Sequence, residues 1–352
     1  MTDSLYPGAS DLEGRVIREV VAVAMDAPAK ANSGHSGTAM ALAPLGVMLW
    51  SRVMRHDPTD PKWSDRDRFI LSNGHCCILQ YALAHEFGYD VSVRDLEEFR
   101  QLHSKTPGHP ERGHTPTVEV TTGPLGQGIA NGVGMAIAEQ ILRSDYGEGL
   151  VNHRTWVFAG DGCFEEGISH EAASLAGALG LGRLTIFYDD NHITIDGVTE
   201  LALRDNPAER FAAYGWHVQD LGEQANDLDA LERATRAAMA DTERPSLIIV
   251  RSHIGFPSPT MMDTREAHGS TSIPRSSTSY WSSSHRTALS GRPGRPGCAR
   301  RERRASVSSN SSTPTASPPS PPRPSSTSSG QRSPPERPWL RRWTSTPPRR
   351  RD

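Results

Sequence analysis

Lysine is almost missing from this 352-residue chain: only Lys30, Lys62 and Lys105 occur among 38 basic residues. Cysteine is scarce as well. Cys76, Cys77, Cys163 and Cys298 form no CxxC pair and no zinc-ligand spacing. That excludes a disulfide scaffold or a zinc module and points to a reducing compartment. Long apolar runs are also lacking. The longest apolar-rich stretch, Thr38 to Trp50, is too short to cross a membrane and contains Pro44. The opening Met1-Thr2-Asp3-Ser4 has no basic-then-apolar leader pattern, so a cytoplasmic location without a membrane partner is expected.

The sharpest deficit is regional. Residues 270–352 hold only four of Leu, Ile, Val, Met and Phe, and no Lys, but 22 Ser, 14 Pro and 16 Arg against three acids. Such a stretch cannot bury enough apolar surface to offset its chain entropy, so a disordered or non-native tail is expected. Its charge is +13, while residues 1–269 carry 22 bases and 38 acids, and the two nearly cancel to −3. The Arg, Ser and Pro composition fits a GC-rich gene read in a shifted frame better than a natural basic linker. Two segments follow: a compact domain over 1–269 and the tail over 270–352. The acidic first segment argues against a specific nucleic-acid partner.

Within residues 1–269 the patterns alternate. Ser10-Asp11-Leu12-Glu13 has capping-box spacing and leads into a helical apolar pattern. A second helix is expected over about Thr38–Met54. Arg68–Ser72 reads as a strand that turns through Asn73-Gly74-His75 into a helix. The stretch Gly126–Arg143 reads as a helix with a face of small residues, which lets another backbone or a ligand come close. Then come strand Thr155–Ala159, helix Glu165–Leu179, strand Leu184–Tyr188, helix Ala208–Tyr214, strand Trp216–Asp220, helix Leu228–Met239 and strand Leu247–Arg251. Three of these strands are continuously apolar, as strands covered on both faces are. The expected fold is α/β, a parallel sheet wrapped by helices.

Two strand ends carry chemistry. Gly160-Asp161-Gly162 closes one apolar strand and opens a helix, a turn whose N–H groups favour phosphate oxygens. Alone, this triplet is more often an ordinary tight turn. Thirty residues on, the next strand ends in Asp189-Asp190-Asn191-His192-Ile193. Parallel neighbours ending in oxygen donors meet at the carboxyl edge of the sheet, where open α/β folds bind ligands. A carboxylate there suits a hard cation such as Mg²⁺ beside a diphosphate. Asp189 and Asp190 read equally well as loop-end or capping residues.

Several of the 13 histidines in residues 1–269 sit in glycine-flanked turns. At these residues the chain resembles the transketolase family. The matching segments are Asn32–Gly37 (NSGHSG), Asp67–His75 (DRFILSNGH), Lys105–Pro110 (KTPGHP), Glu119–Gly128 (EVTTGPLGQG), Gly160–Gly167 (GDGCFEEG), Asp189–Gly197 (DDNHITIDG) and Glu266–Gly269 (EAHG). They run in family order from about residue 15 to 269. Dihydroxyacetone synthase is close enough to stand beside transketolase.

The resemblance implies a thiamine diphosphate-binding fold and transfer of a two-carbon ketol unit between sugar phosphates, in the pentose phosphate pathway. Thiamine diphosphate and Mg²⁺, or Ca²⁺ or Mn²⁺ in its place, are the implied cofactors. His35, His109 and His268 are implied as catalytic, substrate-contacting residues. His75, Gly123, Pro124, Leu125, Gly162, Asn191 and His268 are implied to hold the cofactor. Asp161, the side chain of Asn191 and the carbonyl of Ile193 are implied to bind the metal. Glu166 resembles a subunit-interface carboxylate and reads equally as an acid at a helix N-terminus.

This sequence departs from the family at Ser36, where proline is usual, and at Cys76-Cys77, where small residues are usual and thiols are expected to crowd the cofactor face. The resemblance stops near Ser270, before the family's pyrimidine-binding and C-terminal domains. The chain alone is therefore expected to be inactive. A homodimeric or separate pyrimidine-binding partner would complete it, and the alternatives are one subunit of a two-chain enzyme or a non-enzymatic remnant.

Overall fold

The computed structural model describes residues 5–269. The expected tail, and with it the domain boundary at 269/270, lies outside the described residues.

Helix α1 (Asp11–Ala31) starts as its sequence directs. Ser10 Oγ accepts from the Glu13 N–H (3.3 Å), and the Glu13 carboxylate accepts from the Ser10 N–H (2.9 Å). Glu13 also accepts from Arg52 Nε (2.7 Å), whose Nη1 donates to Asp229 (3.0 Å) and Glu232 (3.1 Å). One arginine thus joins three segments distant in sequence.

The single helix expected over Thr38–Met54 is divided into α2 (Gly37–Ala41), α3 (Ala43–Met48) and a π-turn at Leu49–Val53. The break falls at Leu42 (φ −88°, ψ 1°), and Pro44 occupies the first turn of α3, where a missing N–H costs no hydrogen bond.

Next come β1 (Arg68–Leu71), α4 (Cys77–Glu86), α5 (Val93–Glu97) and α6 (Gln127–Tyr146). They are followed by β2 (Thr155–Gly160), α7 (Asp161–Glu165), α8 (Gly167–Leu179) and β3 (Leu184–Asp189). A two-residue ribbon, β4 (Ile193–Thr194) with β5 (Gly197–Val198), precedes α9 (Pro207–Ala213), β6 (His217–Asp220), α10 (Leu228–Ala240), β7 (Ser246–Val250) and α11 (Arg265–Gly269). The helix expected over Glu165–Leu179 is parted into α7 and α8 by Glu166, whose backbone is extended (φ −79°, ψ 132°).

The five-stranded sheet has the order β1-β2-β3-β7-β6 and is parallel throughout. Alternate strand residues feed two separate cores. Phe69, Trp156, Phe158, Phe187 and Ile248 face the layer of α1, α4 and α10. Ile70, Val157, Ile186, Leu247 and Ile249 face α6, α8 and α9. Both faces are covered, which is why the strands are apolar without alternation. The small face of α6 lies on the sheet: a Cβ on Gly128 would stand 2.5 Å from Ser72 Cα, and one on Gly132 would stand 2.6 Å from Val157 Cγ2. No helix among the described residues is long and apolar enough to cross a membrane.

Candidate active site

Because the strands are parallel, the segments after β1, β2, β3 and β7 all emerge at one edge of the sheet. Register sets Leu71 opposite Phe158, Gly160 opposite Asp189 and Asp189 opposite Val250. The residues that follow these positions form a site with an acidic half and an imidazole half.

In the acidic half, Asp161 opens α7 and is 3% exposed. Its Oδ1 accepts from the Tyr188 hydroxyl (2.6 Å), while Oδ2 has no hydrogen-bond partner in the protein. Burial pushes this carboxyl well above its ordinary range, and the charges of Asp189 and Asp190 add to the effect. The hydrogen bonds from Tyr188 and from the Asn191 backbone act the other way.

Asn191 is fixed in turn by Asp189. Its Nδ2 donates to Asp189 Oδ2 (2.7 Å), and its Oδ1 accepts from the Ile193 N–H (2.9 Å). Asp189 Oδ1 accepts from the Ser252 hydroxyl. Burial raises the Asp189 carboxyl to about 6. Asp189 is thus an internal brace for Asn191, whereas Asp190 pairs at the surface with His192 (3.3 Å). Gly162 packs on Leu125, since a Cβ there would lie 2.8 Å from Leu125 Cδ1. That contact brings the Gly123–Leu125 segment to the Gly160–Gly162 turn.

The imidazole half is assembled from distant segments. His35 follows α1, His75 follows β1, His109 sits in the loop after α5, and His268 is in α11. Ring centroids are 5.0 Å apart for His35 and His75, 5.6 Å for His35 and His268, and 4.8 Å for His75 and His268. His109 packs on Gly123, whose Cβ position is 3.6 Å from His109 Cδ2. Helix α11 packs on β4 and α7 packs on β4, so the ribbon beginning at Ile193 links the two halves.

All four rings are partly accessible and pushed toward the neutral form. His35 is lowered to about 4, first by burial and then by the charges of His268, Arg100 and His109. His75 is held well below the ordinary value by burial and by His268. His109 and His268 are lowered chiefly by burial. Neutral imidazoles offer both a donor and an acceptor, which suits sugar hydroxyls.

Three residues here carried no sequence signal as site residues. Tyr188 grips Asp161. Asn73 is 1% exposed next to Gly160, and neither Oδ1 nor Nδ2 has a protein partner. Arg100, in the segment after α5, reaches Ser33, His35 and Gly108. Tyr188 and Arg100 lie outside the glycine-flanked turns; Asn73 is part of the Asn73-Gly74-His75 turn, where the sequence reading singles out only the histidine.

The departures at Ser36 and Cys76-Cys77 are accommodated. Ser36 is buried (φ −93°), and its carbonyl accepts from the Met40 N–H (2.9 Å), so the turn closes without proline. Both cysteines are fully buried in the core. Cys76 Sγ donates to Asn73 O (3.1 Å) and Cys77 Sγ to Gly108 O (3.2 Å). Glu166 is exposed and is the N-cap residue of α8.

Fold and site together define a parallel α/β domain that presents an acidic cluster and a histidine cluster at the carboxyl edge of its sheet. Residues 12–274 match the family described as transketolase, thiamine diphosphate binding domain. The chain belongs to the transketolase family, as its thiamine diphosphate-binding domain. It is 55% identical over 251 residues to transketolase 1 of Aliivibrio fischeri, covering 70% of this chain and 38% of that protein. Transketolase 2 of Escherichia coli is 54% identical over 252 residues, with the same shares. Among solved structures, transketolase from Leishmania mexicana superposes with a TM-score of 0.72 at 46% identity, covering 74% of this chain and 39% of that one. A Pichia stipitis transketolase in complex with sedoheptulose 7-phosphate gives 0.72 at 45%, with shares of 75% and 39%. The chain thus spans about 38% of the length of these curated relatives.

Proposed function

We propose that this domain grips the diphosphate of thiamine diphosphate through a divalent cation, Mg²⁺ foremost and Ca²⁺ or Mn²⁺ in its place, and supplies half of a ketol-transfer site. The observation that carries the reading is the Asp161 carboxylate, buried beside Asn191 with Oδ2 unpaired. A buried carboxylate oxygen without a partner is costly, and a hard cation would offset that cost. Among the described residues no three His, Cys, Asp or Glu side chains converge on a metal. A donor set of Asp161, the Asn191 amide oxygen and the Ile193 carbonyl has one carboxylate and leaves positions for phosphate oxygens. Gly162 and the segment Gly123, Pro124 and Leu125 would lie along the cofactor.

Thiamine diphosphate, when bound, supplies the nucleophilic carbon and the electron sink of ketol transfer. The chain's own residues bind and move protons. His35 and His109 would meet the hydroxyls of a ketose phosphate, and His268 both sugar and diphosphate. As neutral rings they can donate to a developing oxyanion or accept a hydroxyl proton. His75 would contact the cofactor. The remainder of the site is expected from a pyrimidine-binding domain, in a homodimer or as a separate partner chain.

Calorimetric titration with thiamine diphosphate and Mg²⁺ tests the grip. Binding should require the cation and be lost in Asp161→Ala; a variant that binds like the wild type would overturn the assignment. Assayed alone, the 352-residue chain is expected to show no ketol transfer from xylulose 5-phosphate to ribose 5-phosphate. Robust turnover would refute the half-site reading.

A further inference from the structure

Arg100 stands between the loops that carry His35 and His109. Its backbone is left-handed (φ 62°), which is uncommon for a residue with a side chain. The N–H donates to Thr106 O (3.0 Å) and closes the turn that leads into the His109 loop. Its guanidinium joins three partners: Nη1 donates to Ser33 Oγ (2.8 Å), while Nη2 lies 3.4 Å from His35 Nδ1 and 3.3 Å from Gly108 O. Ser33 and His35 belong to one loop, Gly108 and His109 to the other.

A guanidinium has donors only and stays protonated. The His35 nitrogen that faces it must therefore accept, and the ring proton of a neutral His35 must sit on Nε2. We propose that Arg100 is a positioning residue that fixes His35 as its Nε2–H tautomer and clamps the His35 and His109 loops at one spacing. The ring is also held neutral, to about 4, with burial the leading cause and Arg100 a lesser one. One tautomer therefore persists through the neutral range. Its use, a hydrogen bond donated from Nε2 rather than accepted there, rests on the substrate-facing role of His35 proposed above. The tautomer itself does not.

The test is long-range ¹H–¹⁵N correlation spectroscopy on the full 352-residue chain with ¹⁵N-histidine at pH 7, with His35→Gln to assign the resonance. Wild-type His35 should show Nε2 protonated and Nδ1 bare, with a preference of roughly tenfold or more, as a charge-assisted hydrogen bond supplies. A wild-type Nδ1–H tautomer overturns the proposal outright, whatever any variant does. Arg100→Met should turn the single tautomer into a mixture, and an unchanged spectrum overturns the proposal. Should that variant not fold, Arg100→Gln decides, since a neutral amide can accept from Nδ1–H as readily as it donates to a bare Nδ1. The mixture is expected there too, and its absence is fatal to the idea. No cofactor or substrate enters the measurement, so its failure would leave the diphosphate reading standing.

Discussion

Asp161, buried, and Glu86, half-buried, show how differently a carboxyl can be placed. Asp161 has a hydroxyl and a backbone N–H directed at it and one oxygen left over. Glu86 has no such setting. It ends α4, where the helix dipole disfavours an anion, and burial followed by the charge of Glu19 raises its carboxyl to about 7. A folded-state value above the unfolded one means that stability is whole below about 4.5 and falls as pH rises toward 7. Glu86→Gln should be more stable than wild type at pH 8 by about 1–2 kcal/mol, the full linkage value reduced for partial solvent screening. That advantage should vanish near pH 4.5. Denaturant titration at the two pH values checks it, and a pH-independent difference would contradict the assignment.

The same scale shows what could be read without coordinates. His35, His75 and His109 announce themselves because glycines flank them, and Asp161 because it ends an apolar strand. Asn191 and Ile193 were assigned only through the resemblance to the family's strand-end motif. Arg100 and Tyr188 were not, because their importance lies in what they touch across 65 and 27 residues of sequence.

At the scale of elements, capping chemistry and apolar runs located most helices and strands within a residue or two. The capping box at Ser10 and the strands at 155 and 184 are where the pattern put them. Two expected helices are divided in the fold, at Leu42, next to Pro44, and at Glu166, whose backbone is extended. The sequence reading also passed over β4 and β5, two residues each, which are too short to show a period.

Glycines allow a sharper test of packing. A Cβ on Gly177 in α8 would stand 1.8 Å from Tyr214 O, whereas Gly134 in α6 has open space around it. Gly177→Ala should therefore destabilise by about 2 kcal/mol or more. Gly134→Ala should stabilise by roughly 0.5–1 kcal/mol, through helix propensity and a less flexible unfolded chain. Urea denaturation of both variants separates crowding from propensity; equal shifts would mean that the helix packing is wrongly described.

For the whole molecule, the strand order makes β3 the centre of the sheet, paired on both sides by β2 and β7, while β6 is a partly exposed edge. Hydrogen exchange should be slowest at Ile186 and Tyr188 and much faster across His217–Asp220. Uniform protection would show that the sheet opens only as one unit. The two-faced burial of the strands and the α/β class were legible from unbroken apolar runs. The order in which strands lie side by side was not, because strand pairing is a property of crossovers rather than of local sequence.

One of those crossovers sets a timetable. Leu71 and Phe158 are neighbours in the sheet but far apart along the chain, and the segment between them carries His75, His109 and Gly123. Closing so long a connection gives up more chain entropy than joining β2 to β3, which needs only α7 and α8. The domain is thus built to zip from its middle outward. The Gly160–Gly162 turn is expected to take shape with the first strand pair, ahead of the loops that carry His75 and His109.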